Sequence, residues 1–230
     1  MLDTTVLKGV APGAMPALIT ALVSMEPILV SLYQINTPRR MAHFLAQTAH
    51  ESGGFHTTEE DLHYRTTTLM SLFVKHHRMT PEEAQELGGD PTLKRKAQPE
   101  KIANIVYGGK WGEKNLGNKE AGDGYRFRGR GLIQLTGRTT YTAFARAAHL
   151  TLDEAVAYVA TPRGAVESAA WFWTTRHLNT LADHDDVKHV TRRVNGGETG
   201  LSDRIKYLDR AKRLLRPSLD APLIDRRVLA

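Results

Sequence analysis

Two groups of carboxylates stand nine residues apart in this 230-residue chain. Glu51 ends the segment "MAHFLAQTAHE", and Glu59, Glu60 and Asp61 follow a Gly53–Gly54 pair. A pair of carboxyl groups can divide acid and base work. The protonated one gives a proton to a leaving oxygen, and the ionised one draws a proton from an attacking water. If one helix ran through both, residues 51 and 60 would face opposite sides, roughly 13 Å apart along its axis. The glycine pair lets the chain turn back, so a second acid can face the first across a cleft. Glu51 falls on the last turn of its segment beside Phe44, Leu45 and Gln47. An apolar neighbourhood would desolvate its carboxyl and favour the protonated form that a general acid needs. By spacing, Glu59, Glu60 and Asp61 are equal candidates for the second carboxylate, and a solvated acidic face is the plain alternative for all three. His50–Glu51 also opens a zinc-site pattern. That pattern needs a second histidine at position 54, which is glycine.

The elements that must carry these groups read as helices. "TPRRMAHFLAQTAHES" has Thr37 as a cap and Pro38 in the first turn, with Met41, Phe44, Leu45, Thr48 and Ala49 on one face. "PALITALVSMEPILVSLYQI" reads as one or two helices interrupted near Pro27. A helix is expected near 67–76. "TPEEAQELGG" carries a Thr80/Glu83 capping box and a Gly88 stop, and "PEKIANIVYGG" is a further short helix. Residues 108–131 read as an extended loop and "GLIQLTGR" as a short strand or extended segment. Helices resume near 139–148, 163–174, 185–193 and 202–215. No repeat or linker divides the chain. The expectation is a mainly α single domain over 1–230, of about eight to ten helices with little or no β-structure, in two lobes around a cleft, with 216–230 a loosely held tail.

Composition narrows the function class. Hydrophobic residues make up 41% and charged residues 24%, the profile of a globular protein. No apolar run reaches the roughly 18–20 residues of a membrane span, and no secretory signal is read at the N-terminus. There are no cysteines, which excludes disulfides and thiolate metal sites. The formal charge of +6 favours an anionic partner. Trp171 and Trp173 read as helix core, the ten histidines as structural or solvated, and the basic face of "DRIKYLDRAKRLLR" as solvated.

The segments "MAHFLAQTAHESGGF", "EEDLHY", "YRFRGRGLIQLTGRTTY" and "VNGG…DRI" occur in that order between about residues 37 and 210. Together they resemble glycoside hydrolase family 19, which includes plant-type chitinases and lysozyme-like endolysins of bacteriophages. The resemblance implies a lysozyme-like fold, no cofactor and no metal. It implies that Glu51 is the general acid, that Glu60 is the general base, and that Thr136 stands where a serine helps hold the attacking water. Gln134 and Asn195 match residues lining the sugar cleft. Arg204 matches an arginine tied to the catalytic acids and is counted with the substrate-binding set. Tyr64 and Tyr125 are candidates for stacking on sugar rings, as are Tyr107, Trp111 and Phe127. The family inverts configuration, which needs the two carboxyls about 6.5–9.5 Å apart to admit a water. On an extended segment, Gln134 and Thr136 would share a face.

Both chitin and peptidoglycan fit such a pair. The basic charge, the absence of cysteines and the unmarked N-terminus favour a peptidoglycan-cleaving endolysin. It would be held in the bacterial host cytoplasm until the membrane is permeabilised and would then act on the wall in the periplasm. A holin-type release partner, a monomer, no nucleic acid and at most peripheral membrane contact are expected. A chitinase of the same fold is the first alternative. A non-catalytic basic protein binding wall or nucleic acid is the second.

Overall fold

The computed structural model describes residues 1–215; the tail expected over 216–230 lies outside the described residues. Its helices are α1 (Thr4–Val10), α2 (Pro16–Ser31), α3 (Pro38–Glu51), α4 (Thr66–Leu69), α5 (Pro81–Leu87), α6 (Pro99–Val106), α7 (Gly109–Leu116), α8 (Asp123–Arg126), α9 (Arg138–Ala147), α10 (Leu152–Val159), α11 (Pro162–Thr175), α12 (Leu178–Asp183), α13 (Val187–Asn195) and α14 (Leu201–Leu215). A π-helical turn, Met70–Val74, extends α4. The mainly α class holds. The helices exceed the expected eight to ten because several, such as α4, α8 and α12, have only one or two turns. Among the described residues no helix is long and apolar enough to cross a membrane.

Two hydrophobic cores form. The larger joins α1–α3 to α9–α14 and takes in Phe127, Leu132 and Leu135. The smaller gathers Leu69, Met79, Ala84, Leu87, Ile102 and Val106 from α4–α6, with Tyr64, Phe73 and Tyr107 packed against it. In the larger core Trp173 is fully buried and meets Phe44 edge to face at 5.6 Å. Helix α3 is its axis. The Thr37 hydroxyl accepts the Arg40 amide at 3.1 Å, and Pro38 opens the first turn. Met41 through Ala49 are all buried, polar His43, Gln47 and Thr48 included. The one-sided pattern read from the sequence therefore understates this helix, because α12, α13 and α14 all pack on it.

Local signals that are complete in themselves are kept. Thr80 and Glu83 form the capping box of α5. Gly53 and Gly54 adopt φ of 61° and 80°, and Phe55 follows at 58°, so the chain reverses immediately after α3. Other expectations are corrected. α2 runs unbroken past Pro27, since burial of Leu18, Leu22, Met25 and Leu29 outweighs the lost backbone bond. The expected loop 108–131 contains α7 and α8, whose short polar turns carry little periodicity. "GLIQLTGR" is not a strand. Arg130 and Leu135 pair across a tight turn, each amide bonding the other's carbonyl at 3.1 and 2.8 Å.

One buried histidine makes stability depend on pH. His43 is fully buried, with Nε2 2.7 Å from Asp185 Oδ1 and with Nδ1 unpartnered; Lys212 Nζ donates to Asp185 Oδ2 at 2.6 Å. Burial, the dominant effect, pushes the imidazole below its ordinary pKa, against the pull of Asp185. The unfolded chain takes up a proton near pH 6.5 and the folded one only at lower pH. The stability is thus complete above about 6.5 and is lost as pH falls through the lower folded value. Thermal melts between pH 7.5 and 5 should show this decline, and His43→Gln, which keeps a donor for Asp185, should flatten it.

Candidate active site

Glu51 is the last residue of α3, and its environment is cationic where the sequence suggested an apolar one. Arg204, from the second turn of α14, is 1% exposed. Its Nη2 donates to Glu51 Oε1 and its Nη1 to Gln47 Oε1 at 2.5 Å, while Gln47 Nε2 donates to the Thr191 hydroxyl at 3.2 Å. Arg204 therefore lies beneath Glu51, out of reach of a polymer, which corrects its place in the substrate-binding set. It holds the Glu51 carboxyl in place. Glu51 keeps a side-chain exposure of 20%, and among the described residues its Oε2 has no protein partner. The carboxyl is tethered by one oxygen and open at the other.

The second group of acids is sorted by an antiparallel pairing of 58–60 with 129–131. Glu60 N donates to Gly129 O at 3.0 Å, Gly131 N donates to Thr58 O at 2.7 Å, and Glu59 faces Arg130. Side chains alternate along such a pair. Glu59 accordingly meets Arg128 and Arg130 and is held by both guanidinium groups. Asp61 is exposed and accepts the His63 amide and ring at 2.8 Å each. Glu60 points the other way. Its Oε1 accepts the Gly129 amide at 2.6 Å and its Oε2 the Tyr107 hydroxyl at 2.7 Å. Both donors are neutral. A carboxylate has about four acceptor directions, so two neutral bonds leave room for a water. A Cβ at Gly129 would lie 2.7 Å from Gln134 Oε1 and 3.3 Å from Glu60 Oε1, so both side chains come close to this glycine.

The remaining expected residues divide. Gln134 has a φ of 55°, so it and Thr136 do not alternate as on a strand; the Thr136 hydroxyl donates to the Gln134 carbonyl at 3.0 Å. Asn195, at the end of α13, is exposed, and both its polar atoms serve its own loop: Oδ1 accepts the Gly197 amide at 2.8 Å and Nδ2 donates to Thr199 O at 2.9 Å. Tyr125 has the Arg128 guanidinium 3.9 Å from its ring centre. Tyr64 packs edge to face on Phe73 at 5.6 Å. Burial, with Glu60 and Asp61 adding to it, raises its phenol above the usual range. Tyr107 is raised further, by burial first and then by Glu60.

Sequence reading missed the neutral cradle of Glu60. It also missed the arginines that occupy Glu59, although the facing "EE" and "RGRG" carried the signal as alternating charge. Gln47 and Thr191 beneath Arg204 left no signal, being 144 residues apart. Arg204→Met should cost about 3 kcal/mol in denaturant unfolding, because it strands the Glu51 and Gln47 acceptors.

No family model matches the sequence. A protein of Haemophilus influenzae (strain ATCC 51907 / DSM 11121 / KW20 / Rd), described as a glycosyl hydrolase family 19 domain-containing protein, is 38% identical over 170 residues, 73% of this chain and 76% of that protein. Among solved structures, chitinase C from Streptomyces griseus HUT6037 is similar with a TM-score of 0.56 at 17% identity, over 93% of this chain and 92% of that one. The family GH19 class IV chitinase from Zea mays is similar with a TM-score of 0.55 at 17% identity, over 91% and 90%. At that identity the two structures speak for the fold alone.

Proposed function

The chain belongs to glycosyl hydrolase family 19, and from that premise we propose that it hydrolyses β-1,4 bonds of peptidoglycan with inversion, Glu51 acting as acid and Glu60 as base. The acid and base roles are taken from the family's motifs, and the observation that supports them is that each carboxyl is held in one orientation with a free acceptor position left. Glu51 is tethered through Oε1 to a buried guanidinium and leaves Oε2 open. Glu60 is fixed by two neutral donors. In the proposed reaction Glu51 passes its proton to the glycosidic oxygen. Glu60 takes a proton from a water, which attacks the anomeric carbon from the opposite side. Tyr107 and Gly129 hold the base in one orientation, so little ordering remains to be done at the transition state. Glu59 and Asp61 are unsuited to the base role, the first being occupied by two arginines and the second by His63.

The choice of polymer rests on charge. A net +6 supports an anionic wall polymer over neutral chitin. Host lysis, cytoplasmic retention and release through a holin-type partner belong to the same proposal. Chitin hydrolysis is the competing reading, and the names of the structural neighbours favour it.

Glu51→Gln and Glu60→Gln should each lower wall-degrading activity at least about 1,000-fold with folding intact, whereas Glu59→Gln should lower stability more than turnover. Near-normal lysis by Glu51→Gln would remove the acid from this scheme. Nuclear magnetic resonance of the first product should show the α-anomer, and an initial β-anomer would exclude inversion. Tyr107→Phe should lower kcat by about tenfold, the worth of one hydrogen bond to a charged group. Clearing of permeabilised Gram-negative cells, compared with sugar release from colloidal chitin, separates the two polymers.

A further inference from the structure

Arg78 follows the π-helical turn, and its guanidinium carbon lies 3.2 Å from the centre of the Trp111 ring. Its Nη2 is buried without a hydrogen-bond partner, and among the described residues no carboxylate pairs with it. A buried donor left unmade costs free energy, and a cation more so, unless something completes it. A guanidinium held by an aromatic face keeps its in-plane N–H edge for an acid, the geometry that a carboxylate accepts in two parallel bonds.

Its position ties it to the base. Trp111 is on α7, four residues after Tyr107, whose hydroxyl bonds Glu60. The Asn118 amide fixes the Tyr107 carbonyl at 2.9 Å and so holds the start of α7. Tyr107 packs against the same small core as Met79, the residue that follows Arg78. Trp111 is 41% exposed. Arg78 also borders an open depression of about 610 Å³ with Val74, His77, Met79 and Ile105. The acid on that depression, Glu83, is engaged by the Thr80 amide at 2.8 Å.

We propose that Arg78, held over Trp111 next to the Tyr107–Glu60 pair, is a recognition point for a carboxylate carried by the glycan. This deepens the peptidoglycan reading above and rests on it. Chitin has no carboxylate to offer. A wall glycan has one on each lactyl arm or on the peptide attached to that arm. Arg78 thus makes an anionic substituent near the base part of productive binding and separates the two polymers at one side chain.

The test compares kcat/KM on native peptidoglycan with that on the same material after its carboxyls are converted to neutral amides. The wild-type chain should prefer the native polymer by about tenfold or more, the range of one charge-assisted contact. Arg78→Met keeps an unbranched stem on the indole and should bring the ratio close to one by losing activity on the native polymer only. Arg78→Lys should restore part of the preference. Glycan stripped of stem peptides by an amidase bears newly freed lactyl carboxylates in place of the peptide ones: a preference for this glycan over its own amidated form assigns the lactyl group, and no such preference assigns the peptide. Equal use of native and amidated polymer by the wild type overturns the proposal whether or not any variant folds. So does an Arg78→Met variant that melts normally and loses the same factor on both. A wild-type chain that cleaves neither polymer but releases sugar from chitin overturns the peptidoglycan reading and this proposal with it; no turnover on any of the three overturns the glycosidase assignment itself.

Discussion

A single buried guanidinium organises the larger lobe. Arg204 is a cation withdrawn from water, and such a group is tolerated only when its donors are met. Gln47 and Glu51, one turn apart on α3, meet two of them. The seating of α14 on α3 therefore sets where the Glu51 carboxyl stands. Neighbouring contacts lock the same junction. Asp203 bonds the ring of His50 at 2.7 Å, and Gly200 approaches so closely that a Cβ there would lie 2.3 Å from that ring. A Cβ at Gly54 would lie 3.2 Å from the Tyr207 hydroxyl, so the corner that ends α3 is packed against α14 as well. The Glu51 carboxyl is fixed from below, by charge, through a residue 153 positions further along the chain.

The Glu60 carboxyl is fixed from the side by two neutral donors, one on the smaller core and one on the loop of residues 129–131. Tyr107 packs on the core of α4–α6 and reaches Glu60, while Gly129 comes from the loop that pairs with residues 58–60. Pleating separates the two adjacent glutamates: Glu59 turns into Arg128 and Arg130, and Glu60 turns to Tyr107. Had the register slipped by one residue, the two would exchange environments. The contrast between a cation-held and a neutrally held carboxyl is thus a product of which side chains the tertiary packing brings to each.

The aromatic side chains follow the same division. Tyr64 and Tyr107 belong to the smaller core, Phe127 to the larger. Tyr125 is covered by Arg128. Their surroundings are packing surfaces first. Only Trp111 combines large exposure with a charged neighbour that has no counter-ion among the described residues.

Much of the fold was legible in the residues alone wherever a few neighbours suffice to define an outcome. Thr37–Pro38 starts α3, Gly53–Gly54 reverses the chain, Thr80/Glu83 caps α5, and the ordered motifs point to the family and to Glu51. These features depend on local backbone energetics or on side-chain type. Short polar helices such as α7 and α8 escaped because their few turns hold too little periodicity. Tertiary structure alone decided the electrostatics of the site. Glu51 reads as sitting on an apolar turn until α14 brings Arg204 beneath it, 153 residues away. The equivalence of Glu59, Glu60 and Asp61 is broken only by the register against 129–131. Strand alternation makes adjacent side chains diverge, but nothing in residues 59–61 says which side the arginines will occupy.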